Sequence, residues 1–290
     1  MKRINALALK LLGYDPQQLT EIGHRELGRH AVYASGNEII KFYGSNSGVS
    51  AEARAKAEWK YSALARERGV NAPVTLRIGE AAGIHYTVSE RLPGSPVPAD
   101  AGSEIWREIG RLLGAFHAPV LDDGEPWLER WRSYCLERAH MALKNPCGER
   151  AAHTIAAAAE WLEGAAQPQR FTLLPMGACH GDFYPRNVLC EGGRVTSVID
   201  FELAFDGNVE LELAQLSRAA LAIKPDLAAA FQAGYRESAY IVPGFKARLP
   251  VYLVGQALRD CSWSFGAVPD HFQSLVDMLA RFLARQSVKP

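Results

Sequence analysis

Between Leu92 and Pro98 the chain reads Leu-Pro-Gly-Ser-Pro-Val-Pro. Prolines fix φ and lack a backbone N–H, so neither a helix nor a central strand can run through this stretch. It separates two textures. Before it, short β-like runs dominate. Residues 31–34 and 38–43 flank Ser35-Gly36-Asn37, and residues 74–78 and 84–89 flank a glycine-bounded turn at 79–83. Each pair reads as a hairpin, the first with a three-residue turn. Between them, residues 51–68 are rich in Ala, Glu, Lys and Arg and are followed by Gly69, the pattern of a helix with a glycine just past its end. Ile4, Leu7, Leu11 and Leu12 form one face of a short N-terminal helix. After the break, helical spacing predicts helices over 104–117, 127–143, 151–164, 211–223, 227–237, 250–263 and 271–285. The expectation is an α+β protein of two lobes, a β-rich one over residues 1–92 and a larger, mainly helical one over 93–290, with ligands taken up in the crevice that such lobes leave.

Composition narrows the function classes. With 290 residues, 48% hydrophobic and 22% charged, the chain can bury a full core. Its 32 basic and 32 acidic residues cancel, which argues against the basic field of a general nucleic-acid binder. Met1-Lys2-Arg3 begins like the head of a signal peptide, but Lys10 interrupts the apolar run behind it, and no stretch reaches the roughly 18–20 apolar residues of a membrane span. The five cysteines include no Cys-x-x-Cys pair, which points to neither a disulfide frame nor a thiolate zinc site. A cytoplasmic monomer or weak dimer, with neither nucleic acid nor membrane as partner, is expected.

The exception inside the helical half is His180-Gly181-Asp182, followed by Asn187 and then by Val198-Ile199-Asp200-Phe201. Gly192-Gly193 makes a tight turn between residues 188–190 and 195–199. A turn centred there places Asn187 opposite residue 198, so Asn187 and Asp200 meet at the open end of one hairpin. An amide oxygen and a carboxylate are hard oxygen donors suited to Mg2+, which keeps most of its shell for water and phosphate. A loop aspartate, an asparagine five residues on and a later metal-holding aspartate form the general pattern of kinase phosphoryl transfer. Matched to it, Asp182 is the catalytic aspartate, Asn187 and Asp200 are metal ligands, and Lys41, on the apolar run from Glu38, is the strand lysine that grips the phosphates. Glu58, on the following helix, is placed to pair with Lys41. His180 reads as structural, its imidazole bonding backbone to shape the loop.

His180-Gly181-Asp182-Phe183-Tyr184-Pro185-Arg186-Asn187-Val188-Leu189 with Val198-Ile199-Asp200-Phe201-Glu202 resembles the aminoglycoside phosphotransferase family, which includes choline-kinase-like and homoserine-kinase-like members. The likeness extends to residues 58–69, to Ser89-Glu90-Arg91-Leu92-Pro93-Gly94 as the hinge, and to residues 109–117. It implies a protein-kinase-like fold, ATP or GTP with Mg2+, transfer of the γ-phosphate to a hydroxyl of a small molecule, and adenine held by backbone at Glu90, Arg91 and Leu92. Two positions depart from the family pattern. Gly207-Asn208-Val209 and Glu212 stand where many relatives carry Gly-Asp-Pro and a later aspartate, and the phosphate-covering loop has a single glycine, Gly28.

The acceptor is indicated by charge alone. Residues 1–92 carry a net charge of +4 and the remainder −4. Glu202, Asp206, Glu210 and Glu212 form an acidic group able to receive the ammonium groups of an aminoglycoside-type antibiotic, an acceptor that would make the chain a resistance enzyme. The competing reading is that Glu210 and Glu212 simply suit a positive helix N-terminus. Other hydroxylated antibiotics and small alcohols such as choline or homoserine are alternative acceptors. Two further classes are a nucleotide-binding pseudokinase with a scaffold role and a metal hydrolase using His180, Asp182 and His85 or His117. The first requires loss of Lys41, Asp182, Asn187 or Asp200, and all are present.

Overall fold

A computed structural model describes residues 2–22, 30–44, 49–167, 171–219 and 224–287. The loop containing Gly28 lies outside them. In chain order the elements begin with helix α1 (Lys2–Leu11), strands β1 (Thr20–Glu21), β2 (His30–Ser35) and β3 (Glu38–Tyr43), helix α2 (Ala51–Glu67), and strands β4 (Thr75–Ala81) and β5 (Ile84–Glu90). Next come β6 (Ser95–Pro96), α3 (Ser103–His117), β7 (Val120–Asp123), α4 (Glu125–Leu143), α5 (Glu149–Ala165) and β8 (Leu173–Cys179). The chain continues through β9 (Val188–Glu191), β10 (Arg194–Val198), β11 (Phe205–Asn208), α6 (Glu210–Ala219), α7 (Pro225–Ser238), α8 (Phe245–Ser264) and α9 (Pro269–Ser287). No helix among the described residues is long and apolar enough to cross a membrane.

These elements form two compact units interleaved along the chain. One comprises Met1–Pro119, Gly177–Asp206 and Ala220–Tyr240, the other Val120–Met176, Gly207–Ala219 and Ile241–Pro290. The partition differs from a single cut at Leu92: the Val198 N–H donates to the Asn71 carbonyl and Asn71 Nδ2 donates to the Thr196 carbonyl, both at 2.9 Å, which ties the 188–198 hairpin to residues before that cut.

In the first unit five antiparallel strands run in the order β1-β2-β3-β5-β4. The two expected hairpins are present with shorter turns. Ser35 pairs with Glu38 across Gly36-Asn37, and Ala81 pairs with Ile84 across Ala82-Gly83, both at positive φ. Alternation sends Ile40, Phe42 and Val88 into a core shared with Ala8 and Leu9 of α1. The same unit contains α3 and α7, which cross at glycine. A Cβ at Gly234 would lie 1.8 Å from the carbonyl oxygen of Arg107, and one at Gly110 would lie 2.1 Å from that of Phe231.

The second unit is held by a helical core in which Leu128, Trp131, Ile155, Leu162, Val251, Tyr252, Leu258 and Leu279 are buried. It also includes strands that helical spacing did not foretell. β7 pairs with β8 from Val120↔Met176 to Asp123↔Leu173, in a sheet ordered β11-β8-β7. Every residue of β7 is exposed and β8 carries Pro175 and Gly177, so neither shows apolar alternation. α8 starts at Phe245, earlier than the 250–263 expected, with Gly244 as its N-cap and Pro250 inside it.

The glycine crossing yields a test. Gly234→Ala should lower stability by about 2 kcal/mol or more, because backbone must move to admit a methyl group. Gly164→Ala, where no atom lies within 4 Å, should be neutral or up to about 1 kcal/mol stabilising. Urea denaturation of the two variants reads the difference, and equal effects would mean that α3 and α7 do not pack this closely.

Candidate active site

Ile40 and Phe42 point into the core, so strand alternation turns Lys41 to the opposite face. α2 presents the complementary charges. Ser50 caps it, its Oγ accepting the Ala53 N–H at 3.1 Å. Arg54 and Glu58, one turn apart, share the buried face. The Lys41 ammonium lies 3.3 Å from Glu58 Oε2 and 2.7 Å from Glu202 Oε2, and also pairs with Asp200 Oδ1. Arg54 donates to Glu202 Oε1 at 2.8 Å. His30 Nε2 stands 2.9 Å from the same oxygen, while its Nδ1 accepts the Gly44 N–H at 3.2 Å.

Burial alone would drive the Lys41 proton off, but Asp200, Glu58 and Glu202 outweigh it and raise the ammonium well above its usual range. Burial pushes Glu58 up. It would do the same to Glu202, but Lys41 and His30 hold that carboxyl far below the ordinary value. Glu202 is therefore an anion locked between the strand lysine and the helix arginine.

Side-chain bonds and one steric restriction hold the loop from His180 to Asn187. His180 is fully buried. Its Nε2 donates to the Ile199 carbonyl at 3.0 Å and its Nδ1 accepts the Asp182 N–H at 3.3 Å, which assigns the neutral tautomer. The imidazole thus shapes the loop, as expected. Gly181 has φ +81°, and a Cβ there would lie 2.1 Å from the Leu203 carbonyl oxygen, so only glycine fits. Asn187 Nδ2 donates to the Asp182 backbone oxygen at 2.9 Å and to its Oδ2 at 3.0 Å. Arg186 Nη2 donates to Asp182 Oδ1 at 2.7 Å and Oδ2 at 2.8 Å. Burial raises the Asp182 carboxyl above its ordinary value, with Arg186 pulling the other way.

Beyond the loop, Glu191 pairs with Arg194 across Gly192-Gly193, but the register slips by one residue between Val195 and Ser197. Val188 then pairs with Val198, and the Ile199 N–H reaches the Asn187 carbonyl at 2.9 Å. Asn187 therefore faces Ile199, where an unbulged hairpin would have put Val198. Asp200 ends the strand in a left-handed conformation, φ +73°. With both bonds of the Asn187 amide nitrogen directed at Asp182, its Oδ1 is the atom left for a cation. That oxygen and the Asp200 carboxylate are donors of the kind Mg2+ takes.

At the expected hinge, the Glu90 N–H donates to the Val74 carbonyl at 3.0 Å and the Arg91 N–H to that of Asn37 at 2.7 Å. Among the described residues, the Leu92 N–H makes no backbone bond. The expected acidic group is different in character. Glu202 is enclosed as described, and Glu210 is 1% exposed, bound by Arg248 and Tyr252. Glu212 is also buried. Asp206 alone is open, 3.0 Å from Lys60. Glu210 and Glu212 occupy the first turn of α6, where Asn208 Oδ1 accepts the Glu210 N–H at 3.0 Å, the helix-terminus reading.

The histidines of a hydrolase do not converge. His117 is bound to Tyr235 at 2.8 Å and His85 lies 3.7 Å from Glu80. The ligand-type group found among the described residues is Glu58, Asp200 and Glu202, without histidine. Arg54, His30 and Arg186 were not anticipated as parts of the site. Arg54 had a signal, its i,i+4 spacing from Glu58 on a face otherwise lined by Ala51, Ala55 and Tyr61.

The sequence matches the phosphotransferase enzyme family over residues 33–247. A curated homoserine kinase of Gluconobacter oxydans is 33% identical over 91 residues, a segment that spans 30% of this chain and 29% of that protein. Among solved structures, the apoenzyme of a macrolide 2'-phosphotransferase from Brachybacterium faecium superposes with TM-score 0.61 at 19% identity, covering 96% of this chain and 98% of that one. The GDP complex of an aminoglycoside 2'-phosphotransferase-IIIa superposes with TM-score 0.65 at 13% identity, covering 98% and 99%.

Removing the central anion should be costly. Glu202→Ala leaves Lys41 and Arg54 short of a counter-charge and is expected to lower stability by about 3–5 kcal/mol. Asp206→Ala, which removes an exposed pair, should leave the urea midpoint unchanged. A Glu202→Ala midpoint equal to wild type would show that the pairing is not required.

Proposed function

From the premise that the chain belongs to the phosphotransferase enzyme family, and is thus a small-molecule phosphotransferase acting on hydroxyl groups, we propose that it moves the γ-phosphate of ATP or GTP, with Mg2+, to a hydroxylated antibiotic. The observation that carries the donor side is the meeting of Lys41, Glu58 and Asp200 at one ammonium, with Asp182 and Asn187 bonded to each other in the adjoining loop.

In such a transfer the protein positions groups and neutralises charge. Asp182 accepts the proton of the acceptor hydroxyl as its oxygen attacks the γ-phosphorus. Lys41 holds the non-transferring phosphates, directed by Glu58. The Leu92 N–H, with the backbone carbonyls of Glu90 and Arg91, whose own N–H groups are bonded to Val74 and Asn37, would hold the base of the nucleotide, with residues 1–92 as the nucleotide-binding part. Asn187 Oδ1 and Asp200 would hold Mg2+, which supplies charge neutralisation on the phosphates when bound.

The acceptor has a second reading. A small metabolic alcohol, of the homoserine or choline type, is favoured by the burial of Glu202, Glu210 and Glu212, which withdraws three of the four carboxylates meant for a polycation. Asp206 remains as the open one.

A coupled ADP- or GDP-release assay with Mg2+, run against aminoglycosides, macrolides and small amino or hydroxy alcohols, should show turnover with one class. Asp182→Asn should lower kcat by about 10²–10⁴-fold while nucleotide affinity holds. Asp200→Ala should abolish turnover, and a near-normal rate would remove Asp200 from the metal site. Nucleotide binding without turnover of any acceptor would favour the scaffold class.

A further inference from the structure

Arg186 is half exposed and lies over the ring of Tyr184, with its guanidinium carbon 4.4 Å from the centroid. Its hold on Asp182 is lopsided. Both carboxylate oxygens are taken by Nη2 alone, at 2.7 and 2.8 Å. An arginine placed only to pair a carboxylate would use its fork, one nitrogen for each oxygen. Here Nη1 and Nε have no protein acceptor among the described residues. Nor does Asp182 need the guanidinium to stay in place, since Asn187 already binds its Oδ2 and its backbone oxygen.

Resting on the phosphotransfer reading above, we propose that Arg186 is a further catalytic residue whose unused nitrogens bind the phosphoryl group in flight. A hydroxyl poised on Asp182 has the γ-phosphorus directly behind it. The rest of a guanidinium already bonded to that carboxylate therefore lies beside the phosphoryl oxygens. The acceptor oxygen forms its bond to phosphorus as the bond from phosphorus to the β,γ-bridging oxygen breaks. The hydroxyl proton passes to Asp182, and the nucleoside diphosphate leaves with the bridging electron pair. Arg186 neither gains nor loses a proton. Its fixed charge faces the phosphoryl oxygens, where Lys41 serves the non-transferring phosphates, and the ring of Tyr184 keeps the guanidinium from swinging into solvent.

The test compares wild type, Arg186→Ala and Arg186→Lys by calorimetry with Mg-ADP and with the β,γ-imido analogue of ATP, and by steady-state rates. For Arg186→Ala, ADP affinity should stay within about twofold of wild type, because ADP has no γ-phosphoryl to lose. The preference for the imido analogue over ADP should disappear, kcat should fall by about 10²-fold, and added guanidinium should restore part of the rate. Arg186→Lys should fall between. A kcat within about threefold of wild type with the imido preference intact would overturn the proposal. So would a parallel loss of ADP affinity without guanidinium rescue, which marks a structural role. Should wild type bind both nucleotides but turn over no acceptor, the imido preference alone decides on Arg186. Should it bind neither, the phosphotransfer reading falls and this proposal with it.

Discussion

Everything in the site depends on one buried ammonium. Lys41 sits among the carboxylates of Glu58, Asp200 and Glu202, contributed by a helix and by the segment that follows β10. A cation this enclosed survives only because its counter-charges are enclosed with it. That requirement joins the sheet, α2 and the end of the 188–198 hairpin. None can relax without exposing a charge to an apolar surrounding. The arrangement also explains the choice of residues on α2. Arg54 balances Glu202, so that Lys41 is not the only positive group facing three acids.

A second constraint is steric. Gly181 has no room for a side chain, and its carbonyl-crowded position brings the loop against Leu203. His180 then spans from Ile199 to Asp182 through its two ring nitrogens. The loop is thereby fixed to the strand end that carries Asp200 by hydrogen bonds within the protein itself. Enzymes of charge-neutralising chemistry gain from such preorganisation, because the polar groups do not reorient as charge moves.

Much of this was legible from residue order. The hairpins around Gly36 and Gly83, the helix ending before Gly69 and the loop from His180 to Asn187 all depend on local chemistry, and local chemistry is what a sequence displays. The register of the second half was less accessible, since a bulge between Val195 and Ser197 has no compositional mark. β7 and β8 escaped because their residues carry no alternating burial. Arg54 and Glu202 escaped for a different reason. Each is charged, and charge on a helix or beside a strand end reads as solvent-facing until its partner is known. Their partner atoms are separated by 148 positions in the chain. Glu202 was consequently read as an acceptor contact and proved to be internal.

The spacing of Arg54 and Glu58 has one more effect. A helix that slides along its axis by one turn moves about 5.4 Å and brings each residue to the place of the one four positions away. For α2, a slide in one direction would set the Arg54 guanidinium against Lys41 and leave Ser50 facing Glu202, and a slide in the other would set the Glu58 carboxylate against Glu202 and leave Ser62 facing Lys41, so that either way one contact becomes like on like and the other loses its partner. The order of the two signs along the helix is thus a vernier. It reads the axial placement of α2 to a single turn and penalises the neighbouring setting, much as one polar residue fixes the alignment of a coiled coil.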